Sequence, residues 1–324
     1  MTDATEPDAT TLAPDEAFSV LGNETRIEIL QTLGNAHGAL SFSELRERVG
    51  MRDSGRFNYH LGQLTGHFVT QADTGYELRR PGKRVVEAVL SGAVTEAPMI
   101  ERTEIDWACH YCGARPIEME YREEQVGVYC TECEGMYGGS NDKGAAALPA
   151  ERNRLFYSHL PPAGVFGRSP EEVLLAAATW TNAELVLLAH GICPRCSARL
   201  EVFTSVCDTH SRTNGLCEEC NRRYAALHRV RCENCVYGSE IVLASTLLVN
   251  LELRVFMIDH GLNPIFPESH RWREMFIGPD EHVRSVDPLE VAYTFTIDED
   301  VITLTVDETG DVIDVTQPTA ADGN

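Results

Sequence analysis

Lysine is almost missing from this chain: Lys83 and Lys143 are the only two, and arginine supplies the rest of its 27 basic residues. A long uncharged apolar run is missing as well. The most apolar stretch, "SEIVLASTLLVNLELRVFMIDHG", carries Glu240, Asn250, Glu252, Arg254 and Asp259, so it reads as one buried or interface helix and no membrane span is expected. The start, "MTDATEPDATTLAPDEA", has neither a basic region nor an apolar core, so no secretory signal is expected and a cytoplasmic location follows. Residues 1–12 offer almost nothing to bury and read as a disordered acidic tail, and 318–324 read as a second tail. There is no H-E-x-x-H, no G-x-S-x-G, no P-loop and no G-x-G-x-x-G. With no acid–base pair at a recognisable spacing, the chain is not expected to be an enzyme, and no small-molecule substrate is identified.

Acid is what the chain has in excess. Fifty acidic residues against 27 basic ones give a net charge of −23. The acid is spread along the whole chain, and together with the arginine bias this resembles proteins of halophilic archaea, whose acidic surfaces stay hydrated in molar salt. At about 1 M salt the Debye length is roughly 3 Å, so partners must be held by short-range contacts. In a reducing cytoplasm, cysteines in C-x-x-C pairs are expected as metal ligands rather than disulfides.

The stretch "VCDTHSRTNGLCEEC" shows the pattern at its densest. Cysteines stand at 109, 112, 130, 133, 193, 196, 207, 217, 220, 232 and 235, an odd number, whereas tetrahedral zinc sites take ligands in fours. His210 stands where the missing second cysteine of the Cys207 pair would be, and completes three zinc sites. Cys109, Cys112, Cys130 and Cys133 form the first, around "PIEMEYREEQVGVY", which can form a β-hairpin. The four pairs between 193 and 235 admit three pairings. They can be sequential, cross-braced, or nested, with Cys193 and Cys196 joining Cys232 and Cys235 outside Cys207, His210, Cys217 and Cys220. The arms "LEVFTSV" and "RYAALHRV" are nearly equal in length and rich in strand formers, which favours nesting, with the sequential pairing as its rival. Nesting places the inner set at an exposed hairpin tip. With every ligand supplied by protein, the sites are expected to be structural.

Ahead of the cysteines the apolar spacing is helical. "EAFSVLG", "NETRIEILQTLGN" with Asn23 as cap, "SFSELRERVG" with Ser43 as cap, and "DSGRFNYHLGQLTGH" give four helices. "FVTQ" and "YEL" form a two-stranded hairpin, and "PGKRVVEAVLSG" a fifth helix with Pro81 in its first turn. This order, with "LGNETRIEILQTL", "FSELRERVGM", "GRFNYHLGQL" and "TGYELRRPGKRVVEA", resembles the ArsR-type winged helix-turn-helix transcription regulators. The remainder resembles the uncharacterised C-terminal region of haloarchaeal regulators of this kind, which implies no activity. The first resemblance implies a homodimer on double-stranded DNA. A recognition helix from about Ser54 to Gly66 would present Ser54, Arg56, Asn58, Tyr59 and Gln63, while the wing would hold phosphate through Arg79, Arg80, Lys83 and Arg84. Between Ser41 and Ser91 the basic residues outnumber the acids inside a strongly acidic chain.

Further on, "RSPEEVLLAAATWTNAELVLLAHG" reads as a helix capped by Ser169 and stopped by Gly191. "EVAYTFTIDEDVITLTVDETGDVIDV" alternates as a three-stranded antiparallel meander. The expected fold class is α+β: an N-terminal winged helix-turn-helix (13–95), zinc-ribbon β-hairpins, helices and a small antiparallel C-terminal sheet. The first ribbon is assigned to 105–140 and a C-terminal domain to 145–317, with the two-metal ribbon at 191–238. The expected function is a DNA-binding transcription regulator. The alternatives are a zinc-ribbon interaction scaffold without operator binding, or a metal- or redox-responsive regulator.

Overall fold

The computed structural model describes residues 12–137, 153–211, 215–264 and 278–317, so both expected tails lie outside the described residues, apart from Leu12. The chain divides into two units, Met1–Glu96 and Ala97–Asn324.

In the first unit the periodic segments become α1 (Pro14–Leu21), α2 (Glu24–Gly34), α3 (Phe42–Arg48) and α4 (Ser54–Leu64). They are followed by β1 (Val69–Ala72), β2 (Gly75–Leu78) and α5 (Arg80–Leu90). Asn23 caps α2, its side chain accepting from the Arg26 amide. The cap of α3 is Ser41, not Ser43, because Ser41 and Glu44 satisfy each other's backbone amides. That S-x-x-E spacing is present in the sequence, whereas three residues beyond Ser43 stands Arg46. Asp53 caps α4 by accepting from the Gly55 and Arg56 amides, and the helix ends at Leu64, two residues short of Gly66. β1 and β2 pair antiparallel, and Tyr76 also bridges back to Leu40. Gly75 has φ +134 in the turn and faces the Leu40 carbonyl so closely that no side chain fits. Ile29, Leu30, Leu45, Phe57, Leu61, Leu64 and Val69 form the core of this unit. Each of the larger ones contributes roughly 1.5–3 kcal/mol by leaving water.

The described residues of the second unit form three antiparallel sheets. The first runs β3 (Ile100–Ile105), β4 (Ile117–Arg122), β5 (Gln125–Cys130) and β6 (Arg154–His159) in that order. β6 pairs with β5, so this sheet crosses the boundary expected between 140 and 145: the outer edge of β5 needs a partner. The second sheet contains β7 (Leu200–Val206), β8 (Ala226–Cys232) and β9 (Gly238–Val242). β9 corrects the single apolar helix expected there. Its residues pair with the free side of β8, Leu227 opposite Val242, and a hydrogen-bond partner outweighs local helical preference. The chain becomes helical only at α7 (Leu243–Thr246) and α8 (Leu251–Asp259), where Asn250 interrupts it as the cap of α8. The third sheet has four strands, not three: β10 (Asp280–Val286), β11 (Leu289–Ile297), β12 (Asp300–Val306) and β13 (Val312–Thr316). β10, "DEHVRSV", alternates but is so charged that its apolar period is faint.

α6 (Pro170–Ala189) starts at the Ser169 cap with a reciprocal bond to Glu172. By length and composition it is the one described helix long and apolar enough to cross a membrane, although Glu184 interrupts its apolar run. Here its Val173, Leu174, Ala177 and Ala178 belong to the core built on Ile117, Met119, Tyr121 and Val128 of the first sheet. A second core, with Leu227, Leu243, Leu253, Phe256, Tyr293 and Leu304, joins the other two sheets to α7 and α8.

Candidate metal centres and nucleic-acid interface

Three of the C-x-x-C pairs share one backbone device. The amides of Gly113, Ser197 and Asn221 donate to the carbonyls of Cys109, Cys193 and Cys217 at 2.9, 2.9 and 2.8 Å. The amides of those cysteines donate in turn to Ala114, Ala198 and Arg222 at 2.8, 2.8 and 2.9 Å. The turn needs a left-handed residue, and φ is +78 at Gly113, +63 at Ser197 and +53 at Asn221. It brings both thiols of a pair to one side. In the returning pairs the thiol itself is the acceptor: Cys130 Sγ takes the Glu132 and Cys133 amides at 3.3 Å. Cys232 Sγ takes those of Asn234 and Cys235, also at 3.3 Å. Amide donors of this kind favour the thiolate, the form that binds metal.

The twelve expected ligands assemble into three sets, each with its ligand atoms within 4.8 Å of one another. Cys109 Sγ lies 3.7 Å from Cys133, and Cys112 Sγ 3.5 Å from Cys130. In the outer set of the long ribbon, Cys193 is 3.7 Å from Cys235 and Cys196 is 3.5 Å from Cys232. The inner set is Cys207, His210, Cys217 and Cys220. The arrangement is therefore nested, because β7 and β8 pair from Leu200 opposite Cys232 to Val206 opposite Ala226. Each set can hold a metal ion, and the donors and spacing are consistent with zinc.

Hydrogen bonds and burial pull the thiols of a set in opposite directions. The hydrogen bond from Cys133 draws the Cys109 thiol down to about 5, and burial pushes Cys130 up to about 11. The Ala198 amide and the Asn234 side chain bring Cys196 down to about 6. In the inner set His210 points Nδ1 at Cys220 Sγ, 3.3 Å away, while Nε2 lies 3.3 Å from the Arg223 carbonyl. A carbonyl only accepts, so Nε2 carries the proton and Nδ1 keeps its lone pair for a metal.

The inner set is not at an exposed tip. Arg222 bridges to Tyr137, the Arg223 amide donates to Met136 at 3.0 Å, and Cys217 is buried. A side chain on Gly215 would come within 2.5 Å of Glu134. The tip packs on the segment after Cys133 because Met136, Tyr137 and Tyr111 are apolar surface that needs cover.

In the first unit Ser54, Arg56, Asn58, Tyr59 and Gln63 are all exposed on α4, opposite the buried Phe57, His60, Leu61 and Leu64. Two residues the sequence reading passed over share that outer face, Gly55 and Gly62. Nothing lies within 4 Å of where a Gly62 side chain would begin, so packing does not explain this glycine. An exposed glycine inside a helix costs about 1 kcal/mol relative to alanine. Gln63 stands beside Asp15 and Glu16 of α1 in a shallow cleft. Arg79, Arg80, Lys83 and Arg84, expected in a wing, lie outside both strands of the β1–β2 hairpin. They open α5, with Arg79 as its N-cap residue, because Pro81 starts a helix there. Arg79 is held by the Gly66 carbonyl, and Arg80 and Arg84 lie 4.0 and 3.4 Å from Glu87, leaving Lys83 exposed on the same turn.

Two family models match the chain. Residues 14–89 match one described as Domain of unknown function (DUF7347), which spans α1 to nearly the end of α5. Residues 106–312 match another, Domain of unknown function (DUF7351), over more than half of the chain. The chain belongs to the DUF7351 family. No curated protein and no solved structure matches it. All twelve ligands, from Cys109 to Cys235, fall within the DUF7351 region, and the exposed face of α4 falls within the DUF7347 match.

Proposed function

We propose that the chain is a DNA-binding transcription regulator whose C-terminal unit is built on three structural zinc ions. The observation that carries this reading is the outer face of α4, where arginine, glutamine, asparagine and tyrosine stand free of the core around Gly55 and Gly62. Arginine and glutamine are the side chains that make bidentate contacts with guanine and adenine. The glycines let the helix backbone approach a groove closely, which offsets what they cost the free helix. Four helices, a two-stranded hairpin and a fifth helix are the order of a winged helix-turn-helix, with α4 as reader and β1–β2 as wing.

Charge supports the same reading. From Ser41 to Ser91 the bases Arg46, Arg48, Arg52, Arg56, Arg79, Arg80, Lys83 and Arg84 exceed the acids Glu44, Glu47, Asp53, Asp73, Glu77 and Glu87, within a chain of net −23. Lys83 and the arginines around it serve phosphate from the start of α5, and two copies would read two half-sites. In each metal set four protein ligands leave no coordination position for water, which supports a structural role. The test is genome-wide mapping of bound DNA at high salt, with wild-type protein and Arg56→Ala. Discrete sites that vanish in the variant are expected. An absence of discrete wild-type sites would sink the regulator reading in favour of a protein-interaction scaffold.

A further inference from the structure

Arg223 touches a ligand of the inner metal set and the segments that adjoin both halves of the first one. Its carbonyl accepts from Nε2 of His210 and so orients that ligand. Its amide donates to Met136 at 3.0 Å, and its Nε to Gly135 at 2.8 Å, both just beyond Cys133. Its guanidinium carbon stands 4.0 Å from the centre of the Tyr111 ring, and Tyr111 lies between Cys109 and Cys112. Around this residue Tyr137 bridges to Arg222, and the tip carries a glycine where Glu134 comes close. The outer set, Cys193, Cys196, Cys232 and Cys235, lies at the other end of the β7–β8 pair.

We infer that Arg223 locks the first and inner metal sites into one cooperative pair, while the outer site loads and releases its ion independently. A metal at the inner site holds His210, Cys217 and Cys220 together. That fixes the Arg223 backbone, and hence the donors holding the Cys130–Cys133 finger and the cation packed on the Cys109–Cys112 finger. By thermodynamic reciprocity, a metal at the first site must favour the inner one by the same factor. Arg223 is thus a positioning residue and not a ligand.

The inference rests on the three sets holding metal ions, so elemental analysis of the wild-type protein comes first. A wild-type chain without bound metal would overturn the metal reading and this inference with it. The test proper is site-resolved cysteine alkylation of the full chain under a zinc chelator, read by peptide mass spectrometry. In Cys220→Ser, alkylation of Cys109, Cys112, Cys130 and Cys133 should accelerate by about 5–150-fold, the range over which coupled sites influence each other. The outer four cysteines should keep their wild-type rate. Arg223→Ala retains every ligand and the backbone bonds to His210 and Met136 but loses the side-chain contacts to Gly135 and Tyr111, so its own first site should be faster than wild type. Adding Cys220→Ser to Arg223→Ala should then have a smaller effect than it has alone. Unchanged first-site rates in Cys220→Ser would overturn the coupling. Equal acceleration at all three sites would overturn it too, because the effect would be general unfolding.

Discussion

Nε2 of His210 lies 3.3 Å from the carbonyl oxygen of Arg223, so the imidazole is held in the tautomer that offers Nδ1 to the inner set. A thiol in its place needs no such partner. His210→Cys should therefore keep three ions per chain by elemental analysis, and His210→Ala should keep two. An inner ion that survives His210→Ala undiminished would remove this histidine from the ligand set.

The outer face of α4 makes a separate claim. Arg56→Ala and Gln63→Ala should each cost about 1–3 kcal/mol of discrimination between specific and unrelated DNA. Both residues are exposed, so neither substitution should lower the melting temperature measurably. Specific binding that persists in both variants, measured by competition in high salt, would mean another element reads the sequence.

Lys83 opens onto solvent in the first turns of α5, beside Arg80 and Arg84. Its replacement by alanine should weaken binding to all DNA sequences alike and reduce the slope of log affinity against log salt by about one unit. A change of sequence preference in this variant would instead place Lys83 against a base edge.

Acid should weaken the second unit through His228. This residue is buried on β8, with Nε2 lacking a hydrogen-bond partner among the described residues. Burial lowers its pKa, against a smaller opposing pull from Asp307. The unfolded chain, with an ordinary histidine pKa of about 6.5, takes the proton more readily. Stability is then whole above about pH 6.5 and falls as the pH drops from there towards the lower folded-state value. His228→Gln should flatten this part of the stability curve in denaturant titrations at pH 7 and pH 5. An equal slope in wild type and variant would assign the effect to other groups.

The metal ligands were legible because their chemistry is local. A C-x-x-C pair forms its turn within six residues, and the near-equal arms between 193 and 235 made nesting the favoured pairing. The Ser169 cap and the stripe of Phe57, His60, Leu61 and Leu64 were legible for the same reason: each depends on spacing within one helix. The Ser41–Glu44 box is equally local, and its S-x-x-E spacing distinguishes Ser41 from Ser43 as the cap. By itself, then, the sequence determined the ligands, most helix starts and the central hairpins. It left the pairing of the ligands between 193 and 235 open, and the pairing of β7 with β8 decided it. The tertiary structure decided what depends on surfaces far apart in the chain. β9 is a strand because β8 offered an open edge, and β6 joins β5 for the same reason. The inner hairpin tip is covered because Arg223 meets Gly135, 88 residues away. Spacing along a chain encodes a turn or a helix face, but it carries no record of which distant carbonyl will stand within reach of a guanidinium once the sheets have packed.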